Sequence, residues 1–502
     1  MYDIIIFTEN TDPMQIAMPL GGFKIASVLR KNGYKTLVVN HLSTFNMDEL
    51  KRLLDIVVSN STKIIGFSTT FFKNVVEENN KKQYLSMGMD FVFPQGKEFE
   101  NEIVQYVKNK NNNVKFIAGG SKTIPMYSNK NINYVFMGYS ETSIIHLLSH
   151  LNYGTKIPNS HKNIFGIVII DDRTAPNYDF VGDSMIWEKS DILNHKVLPL
   201  EIGRGCIFKC KFCSYPLNGK KSLDYIKKSE IIYEELLNNF TNFGITHYFI
   251  VDDTFNDSVE KLEAIEKVIK KLPFTPIFWC YARLDLLCTR PETVDILYKI
   301  GIRAFYFGIE TLDLKAGRTI GKGYDRQKQI GMINHIKTSY PDVSMHGSFI
   351  AGCPEETSDS IKQTMSQLLS GHIPLHSWMM KPLYIFSDTT QSFSSEIDLN
   401  YDKFGYISQK NEDGIIYWKN EHTHFTLEFA RTKDFINKSR MQDFFMVPGH
   451  DSFEFVNFGY DFYESMKTPL KKFNFNAIKD DVDKFTSTYK KELFNYLKIN
   501  QV

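Results

Sequence analysis

Cys206, Cys210 and Cys213 fall within one short run, residues 203–216 (GRGCIFKCKFCSYP). This CxxxCxxC spacing constrains everything around it, because three thiolates so close in sequence reach one metal centre through a tight loop at little closure cost. Three ligands, rather than four, matter more. A [4Fe–4S] cluster bound by three cysteines keeps one iron open for a small-molecule ligand, and an open metal position is a reactive one. A structural zinc ion is the competing occupant. Zinc takes four protein ligands, and no histidine lies between His195 and His247 to complete a local set. A redox disulfide is the third reading, with CxxC spacing only at Cys210 and Cys213. The remaining cysteines, Cys280, Cys288 and Cys353, are dispersed and read as small buried hydrophobes.

At 502 residues the chain is expected to form two or three domains. Its 42% hydrophobic and 23% charged content is that of a globular protein. A net charge of +1 gives no general pull toward nucleic acid. No apolar run has membrane-spanning length, so no membrane partner is expected. Residues 1–7 read as a first strand rather than a signal peptide, which suits a cytoplasmic protein with free thiols.

The fold class expected is α/β. In residues 1–155 the short apolar runs 3–7, 35–39, 63–67, 114–118 and 133–137 alternate with amphipathic stretches. Leu20, Phe23, Ala26 and Leu29 share one helical face, and Gly33 ends that helix. Strand, helix, strand at this spacing predicts a doubly wound, Rossmann-like parallel sheet, with ligands outside the carboxyl ends of its strands. Those ends carry Gly21 and Gly22, Ser68 and Thr69, Gly119 and Gly120, and Gly138 with Glu141. Glycine there allows close backbone approach to a ligand, or simply a tight turn. His41, after the second strand, reads as a surface loop residue. Residues 156–189 read as a linker or bridge, with Trp187 as its packing anchor. The polar segment 73–113 reads as helices with an insertion.

Residues 190–385 repeat the alternation six times, which predicts a partial (β/α)6 TIM-type barrel whose catalytic groups lie at the C-terminal strand ends. Residues 386–502 are a C-terminal mixed or helical extension rich in aromatics, among them Tyr401, Phe404, Tyr406, Tyr417, Trp418, Phe425, Phe429, Phe444, Phe445, Phe453 and Phe455. These line a pocket or fill a core. Val482, Phe485, Tyr489, Leu493 and Tyr496 form one stripe of a final helix, expected to dock onto the barrel.

The cysteine run, with Phe212 just before its third cysteine, resembles the cluster loop of the radical S-adenosylmethionine (SAM) superfamily. The ordered glycine, serine and glutamate motifs of residues 1–155 resemble the cobalamin-binding domain that precedes many such barrels, although the Asp-x-His-x-x-Gly motif of many cobalamin proteins is absent. The resemblance implies a [4Fe–4S] cluster on Cys206, Cys210 and Cys213, with SAM chelating the open iron. It implies SAM contacts from Phe212, Asp252, Asp253, Arg283, Glu310, Ile350, Gly352 and Pro354. It implies cobalamin against Gly21, Gly22, Ser68, Thr69, Gly119, Gly120, Gly138 and Glu141, without a lower histidine ligand. Other roles compete at several positions: a helix cap for Asp252 and Asp253, a plain salt bridge for Arg283. With no cysteine before Cys206 or after Cys353, the methylthiotransferase subgroup and those with extra C-terminal clusters are disfavoured.

By resemblance, the leading expectation is a methyltransferase acting on an unactivated carbon through a 5′-deoxyadenosyl radical and methylcobalamin, reduced by an external flavodoxin- or ferredoxin-like donor. A radical SAM reaction without methyl transfer is the first alternative, and a non-catalytic, metal-stabilised binding module is the alternative of another class. No general base is evident, and the substrate is not written in any motif.

Overall fold

The computed structural model describes residues 1–9, 17–68, 99–120, 123, 128–173, 178–215, 217–383, 385, 393–410, 416–424 and 436–499. The expectations for Thr69, for residues 73–98, and for Phe425 and Phe429 lie outside the described residues, as does the side chain of Tyr417.

The first sheet is built from β1 (Ile4–Phe7), β2 (Thr36–Val39), β3 (Ile64–Ser68), β4 (Lys115–Gly119), β5 (Tyr134–Gly138), β6 (Ser160–Lys162) and β7 (Val168–Asp172), in the order β2-β1-β3-β4-β5-β7-β6. All its pairings are parallel except β6 with β7. The stretch read as a linker therefore contributes two strands. The residues of β6 are all exposed and polar, so the periodicity that marks a buried strand is missing there.

β1 shows why the sheet is doubly wound. Its four residues are all buried, as in a parallel strand covered on both faces. Ile4 and Ile6 enter one apolar core with Phe23, Ala26 and Leu29 of the helix Leu20–Lys31. Ile5 and Phe7 enter a second core on the opposite face, with Leu50 and Leu54 of the helix Met47–Val57.

The second sheet runs in sequence order through β8 (Val197–Leu200), β9 (His247–Ile250), β10 (Ile277–Ala282), β11 (Ile302–Glu310), β12 (Ser344–Ala351) and β13 (Ser377–Pro382), every neighbour parallel. With β8 and β13 at its two edges, it is an open arc of barrel rather than a closed one. Helices such as Ser229–Phe243 and Ser358–Leu369 cover its outside. The core under the first sheet continues without a break into this outer layer, with Trp187 packed on Phe23 at 5.2 Å between ring centroids. The two sheets are thus packed as one body.

The C-terminal region plugs the N-terminal end of the arc. The helix Gly449–Phe455 inserts Phe453 among Val197, Trp279 and Ala304, and Gly449 lies so close to Ser344 that a Cβ would meet it at 2.7 Å. Tyr406, Trp418, Phe445, Phe453 and Phe455 are buried and fill core, which decides the choice between core and pocket for these five.

The final helix, Phe475–Ile499, corrects the expectation that it serves the barrel alone. Ile478 packs into the core shared with the barrel, but Tyr489, Leu493, Phe494 and Leu497 cover the far face of the first sheet. The Tyr489 hydroxyl accepts the Asn40 N–H at 2.8 Å, and Lys490 pairs with Glu49 at 2.9 Å. This docking also corrects the reading of His41. It is 2% exposed, stacked on His195 with Nε2 to Nε2 at 3.4 Å, between Phe485 and Tyr489. A helix more than four hundred residues away in sequence buries it, and nothing near His41 in the chain announces that.

Candidate functional site

The cysteine loop leaves β8 under tight control. The Asp252 carboxylate, beyond the end of β9, accepts the N–H groups of Ile202 at 2.9 Å and Gly203 at 2.8 Å, and pairs with Lys261 at 2.9 Å. Gly203 bridges to Ile226, and Gly205 turns the chain at φ +132° where a Cβ would press on Lys220. Within the loop, the Cys206 N–H donates to Leu217 O at 3.0 Å and the Cys213 N–H to Cys210 O at 3.1 Å. The Tyr215 N–H points at Cys213 Sγ, 3.4 Å away.

Burial pushes the Cys206 thiol pKa up, and pushes that of Cys213 up to about 11, with Cys210 and Cys206 adding to the latter. Cys206 and Cys210 thus lie near enough to Cys213 to oppose its ionisation, a cost that a bound cationic centre reverses. Among the described residues no group of three His, Cys, Asp or Glu side chains is gathered to hold a single metal ion. The donor set suits a multi-iron cluster better than a zinc tetrahedron. His422 and His424 are likewise not joined: one faces Glu355 at 3.7 Å, the other Gln409 at 2.9 Å.

The remaining polar groups stand at the C-terminal ends of successive strands. After β10, Arg283 is held by a fork from Asp285 (3.0 and 2.6 Å), lies 4.0 Å over the Phe208 ring and directs Nη1 at Cys210 Sγ, 3.5 Å away. At the end of β11, Glu310 adopts φ +63° where the register with β12 shifts, and its carboxylate pairs with Lys322 at 2.9 Å. Lys322 also lies 6.0 Å over the Phe212 ring, so it ties the β11 end to the cysteine loop. Beyond β12, on which Ile350 lies, Gly352 turns at φ +94°. Glu356 accepts its N–H at 2.7 Å, and its carbonyl accepts the Tyr406 hydroxyl at 2.7 Å. Pro354 follows in the same turn. Asp253 is exposed as a residue, yet its carboxyl sits beside Tyr215 and Asp252, and the surrounding protein pushes its pKa up to about 7. The adjacent aspartates therefore differ: Asp252 is 1% exposed and bonded to the strand exit, while Asp253 is at the open end.

Gly21, Gly22, Ser68, Gly119, Gly120, Gly138 and Glu141 line one cavity of about 700 Å³, together with Phe212, Cys213, Ser214 and Tyr215 of the cysteine loop. The glycines shape it: a Cβ on Gly21 would meet nothing within 4 Å, whereas one on Gly138, at φ +88°, would strike the Arg173 nitrogen at 2.7 Å. No histidine is among the described lining residues.

Arg204 crosses from one side of the cavity to the other. Its guanidinium bonds Glu141 at 2.6 Å and forks onto Glu201 at 2.7 and 3.0 Å, enclosed by the rings of Tyr139 (5.0 Å) and Phe180 (4.8 Å). The Tyr139 hydroxyl donates to that of Tyr215 at 3.1 Å. Arg204, Lys261 and Lys322 escaped the sequence reading. Only Lys261 had a local signal, its four-residue spacing from Asp257, which it also contacts at 3.3 Å.

Among known families, residues 200–368 match the Radical SAM superfamily. A curated relative, the tRNA-2-methylthio-N(6)-dimethylallyladenosine synthase of Desulfotalea psychrophila, is 20% identical over 191 residues, which are 33% of this chain and 39% of that protein. The match thus spans less than half of the relative's length. Two solved structures share the architecture more fully. One is the radical S-adenosylmethionine methyltransferase TsrM from Kitasatospora setae with cobalamin and a [4Fe–4S] cluster bound: TM-score 0.65, 14% identity, 97% of this chain and 100% of that one. The other is the cobalamin-dependent S-adenosylmethionine radical enzyme OxsB with aqua-cobalamin and S-adenosylmethionine bound: TM-score 0.55, 18% identity, 80% of this chain and 56% of that one. At such identities these two likenesses concern the fold. The residues that carry the cysteine loop and the strand-end groups around it are thus the ones that match the Radical SAM superfamily, residues 200–368.

Proposed function

We propose that the protein is a cobalamin-dependent radical SAM enzyme that transfers a methyl group to an unactivated carbon. The observation that carries this reading is the shared cavity, in which the strand-end glycines of the first sheet face Phe212, Cys213 and Tyr215 of the cysteine loop. A cavity of this size is in the range of cofactor sites, and its glycine wall admits a large flat ligand. When bound, the cluster and the corrin supply one-electron cleavage of SAM and a transferable methyl group.

The chain's own residues then bind, orient and enclose. Cys206, Cys210 and Cys213 would hold the cluster, with the Arg283 guanidinium beside Cys210 offsetting thiolate charge and offering a fork to a carboxylate. Asp253 offers a carboxylate to an ammonium. Glu310, oriented by Lys322, offers a second acceptor, and Ile350, Gly352 and Pro354 form a wall for a planar base. Gly21, Gly22, Gly119, Gly120 and Gly138 leave room for the corrin, with Ser68 at its rim, and Glu141 acts through Arg204. Arg204 fixes the separation of the two cofactor positions. An external one-electron donor completes the set. The cytoplasm suits such a protein, and no described helix is long and apolar enough to cross a membrane.

The decisive assay is anaerobic reconstitution with iron, sulfide and hydroxocobalamin, followed by reduction in the presence of SAM. The reading requires formation of 5′-deoxyadenosine and a cobalamin spectrum that changes on methylation. One zinc per chain with no SAM cleavage would overturn it. SAM cleavage without cobalamin binding would leave a radical SAM enzyme of another reaction.

A further inference from the structure

Two polar ties join the first sheet to the arc at the shared cavity. The Arg204 clamp is ionic, 7% exposed and bonded on both sides, so it holds a distance. The second tie is neutral and runs through two phenols. Tyr139, directly after β5, donates its hydroxyl hydrogen to the Tyr215 hydroxyl at 3.1 Å, across 76 residues of sequence. The Tyr215 hydroxyl in turn donates to the Asp253 carboxylate, beyond the end of β9.

This chain of groups starts inside the cavity and ends outside it. Tyr139 and Tyr215 line the cavity, whereas Asp253 is not among its described lining residues. The roots of all three residues are fixed. The Arg204 guanidinium lies 5.0 Å from the Tyr139 ring centroid, and the Tyr215 N–H points at Cys213 Sγ, 3.4 Å away. Asp252, next to Asp253, accepts two N–H groups at the exit of β8. The tips are less confined: both phenols are half-buried and Asp253 is exposed. A ligand that fills the cavity therefore packs on two rings whose hydroxyls lead to a carboxylate outside it.

We propose that Tyr139 and Tyr215 are positioning residues that couple the two cofactor positions, so that cobalamin in the cavity orients Asp253 toward the SAM ammonium. The inference rests on the function proposed above. Ordering two phenols and a carboxylate costs conformational freedom, and the first ligand to bind bears that cost for the second. Hydrogen bonds donated in series toward an anion also strengthen one another. Tyr139 thus acts on Asp253 through Tyr215 without touching it. Linkage requires an equal reverse effect: SAM must raise cobalamin affinity by the factor by which cobalamin raises SAM affinity.

The test measures binding rather than turnover, on the full-length protein with its cluster reconstituted and left oxidised. SAM is titrated by calorimetry with and without saturating hydroxocobalamin. Hydroxocobalamin is titrated by its visible spectrum with and without SAM. In wild type each ligand should tighten the other by about fivefold. Tyr139→Phe removes one hydroxyl and keeps the ring against Arg204. It should reduce that factor to about 1.5 or less in both directions, while each ligand alone binds within about threefold of wild type. Tyr215→Phe should also lose the coupling, and should weaken SAM binding alone by about threefold because Asp253 loses its donor. This second variant keeps the inference falsifiable if Tyr139→Phe does not fold. Tyr153→Phe, 82% exposed at the end of the helix Glu141–Tyr153, should retain the wild-type coupling.

Coupling that persists at full strength in both phenylalanine variants would overturn the proposal, as would a wild-type chain that binds the two ligands independently. Loss of both affinities with the coupling factor unchanged would make the tyrosines structural, and would overturn it too. A wild-type chain that binds SAM but no hydroxocobalamin would instead overturn the cobalamin reading on which the proposal stands.

Discussion

Arg204→Met is the substitution that most directly probes how the two sheets are held in register. It removes a guanidinium that is 7% exposed and leaves Glu141, 4% exposed, without the cation that bonds it at 2.6 Å. Glu201 also loses its fork, although Lys24 remains 3.9 Å away. Breaking a buried pair by deleting one partner costs about 3–5 kcal/mol, because the surviving charge is left without compensation. That is a large part of a typical total stability of about 5–15 kcal/mol. Much of the loss is the penalty on Glu141, so Arg204→Met with Glu141→Gln should recover about 1–3 kcal/mol by replacing the stranded charge with a neutral amide. Arg204→Lys should be intermediate, since it keeps the charge but not the fork. Urea denaturation followed by far-ultraviolet circular dichroism reads all of these. If Arg204→Met lies within about 1 kcal/mol of wild type, the clamp is not a structural tie and the reasoning is wrong.

Three further outcomes follow from the same structure. Asp252→Asn should lower stability by about 2–4 kcal/mol by weakening the Lys261 pair and the strand exit, whereas Asp253→Asn should leave the urea midpoint unchanged and weaken SAM binding, read by calorimetry, about tenfold. Gly138→Ala should cost at least about 2 kcal/mol in urea denaturation, since φ +88° is strained for alanine and its Cβ would meet backbone at 2.7 Å. His195 has its pKa lowered to about 4 by burial. Its neutral form is thus favoured in the folded state, so its contribution is complete above the unfolded pKa of about 6.5 and is lost as pH falls from there toward 4. Stability should drop by about 1 kcal/mol more between pH 7.5 and 5.5 in wild type than in His195→Gln; equal pH dependence would contradict this.

Much of the chain was legible because its signals are local. Gly33 ends the first helix in the left-handed region, at φ +81°, where the sequence punctuation predicts. The glycines at the ends of β4 and β5 could be placed at the carboxyl edge of the sheet from the alternation of strand and helix signals, and there they line the cavity. What escaped the sequence is held by distant partners. Arg204 meets Glu141 from 63 residues away, and Lys322 meets a Glu310 whose left-handed backbone follows from a register shift with β12. β6 lacks apolar alternation, and the stripe of the final helix tells that it docks but not where: its upper half finds the first sheet, and with it the loop of His41.

The central claim is that a single cavity serves cofactors held from both sheets. Gly21→Trp tests it most directly, because Gly21 lines that cavity and a Cβ there meets nothing within 4 Å in the protein itself. The measurement is iron and cobalamin content per chain after anaerobic reconstitution and gel filtration. The account predicts about four irons and one cobalamin in wild type, and in Gly21→Trp the same iron with the cobalamin lost. A variant that retains full cobalamin, or a wild-type chain that binds none while carrying a single zinc, would contradict it.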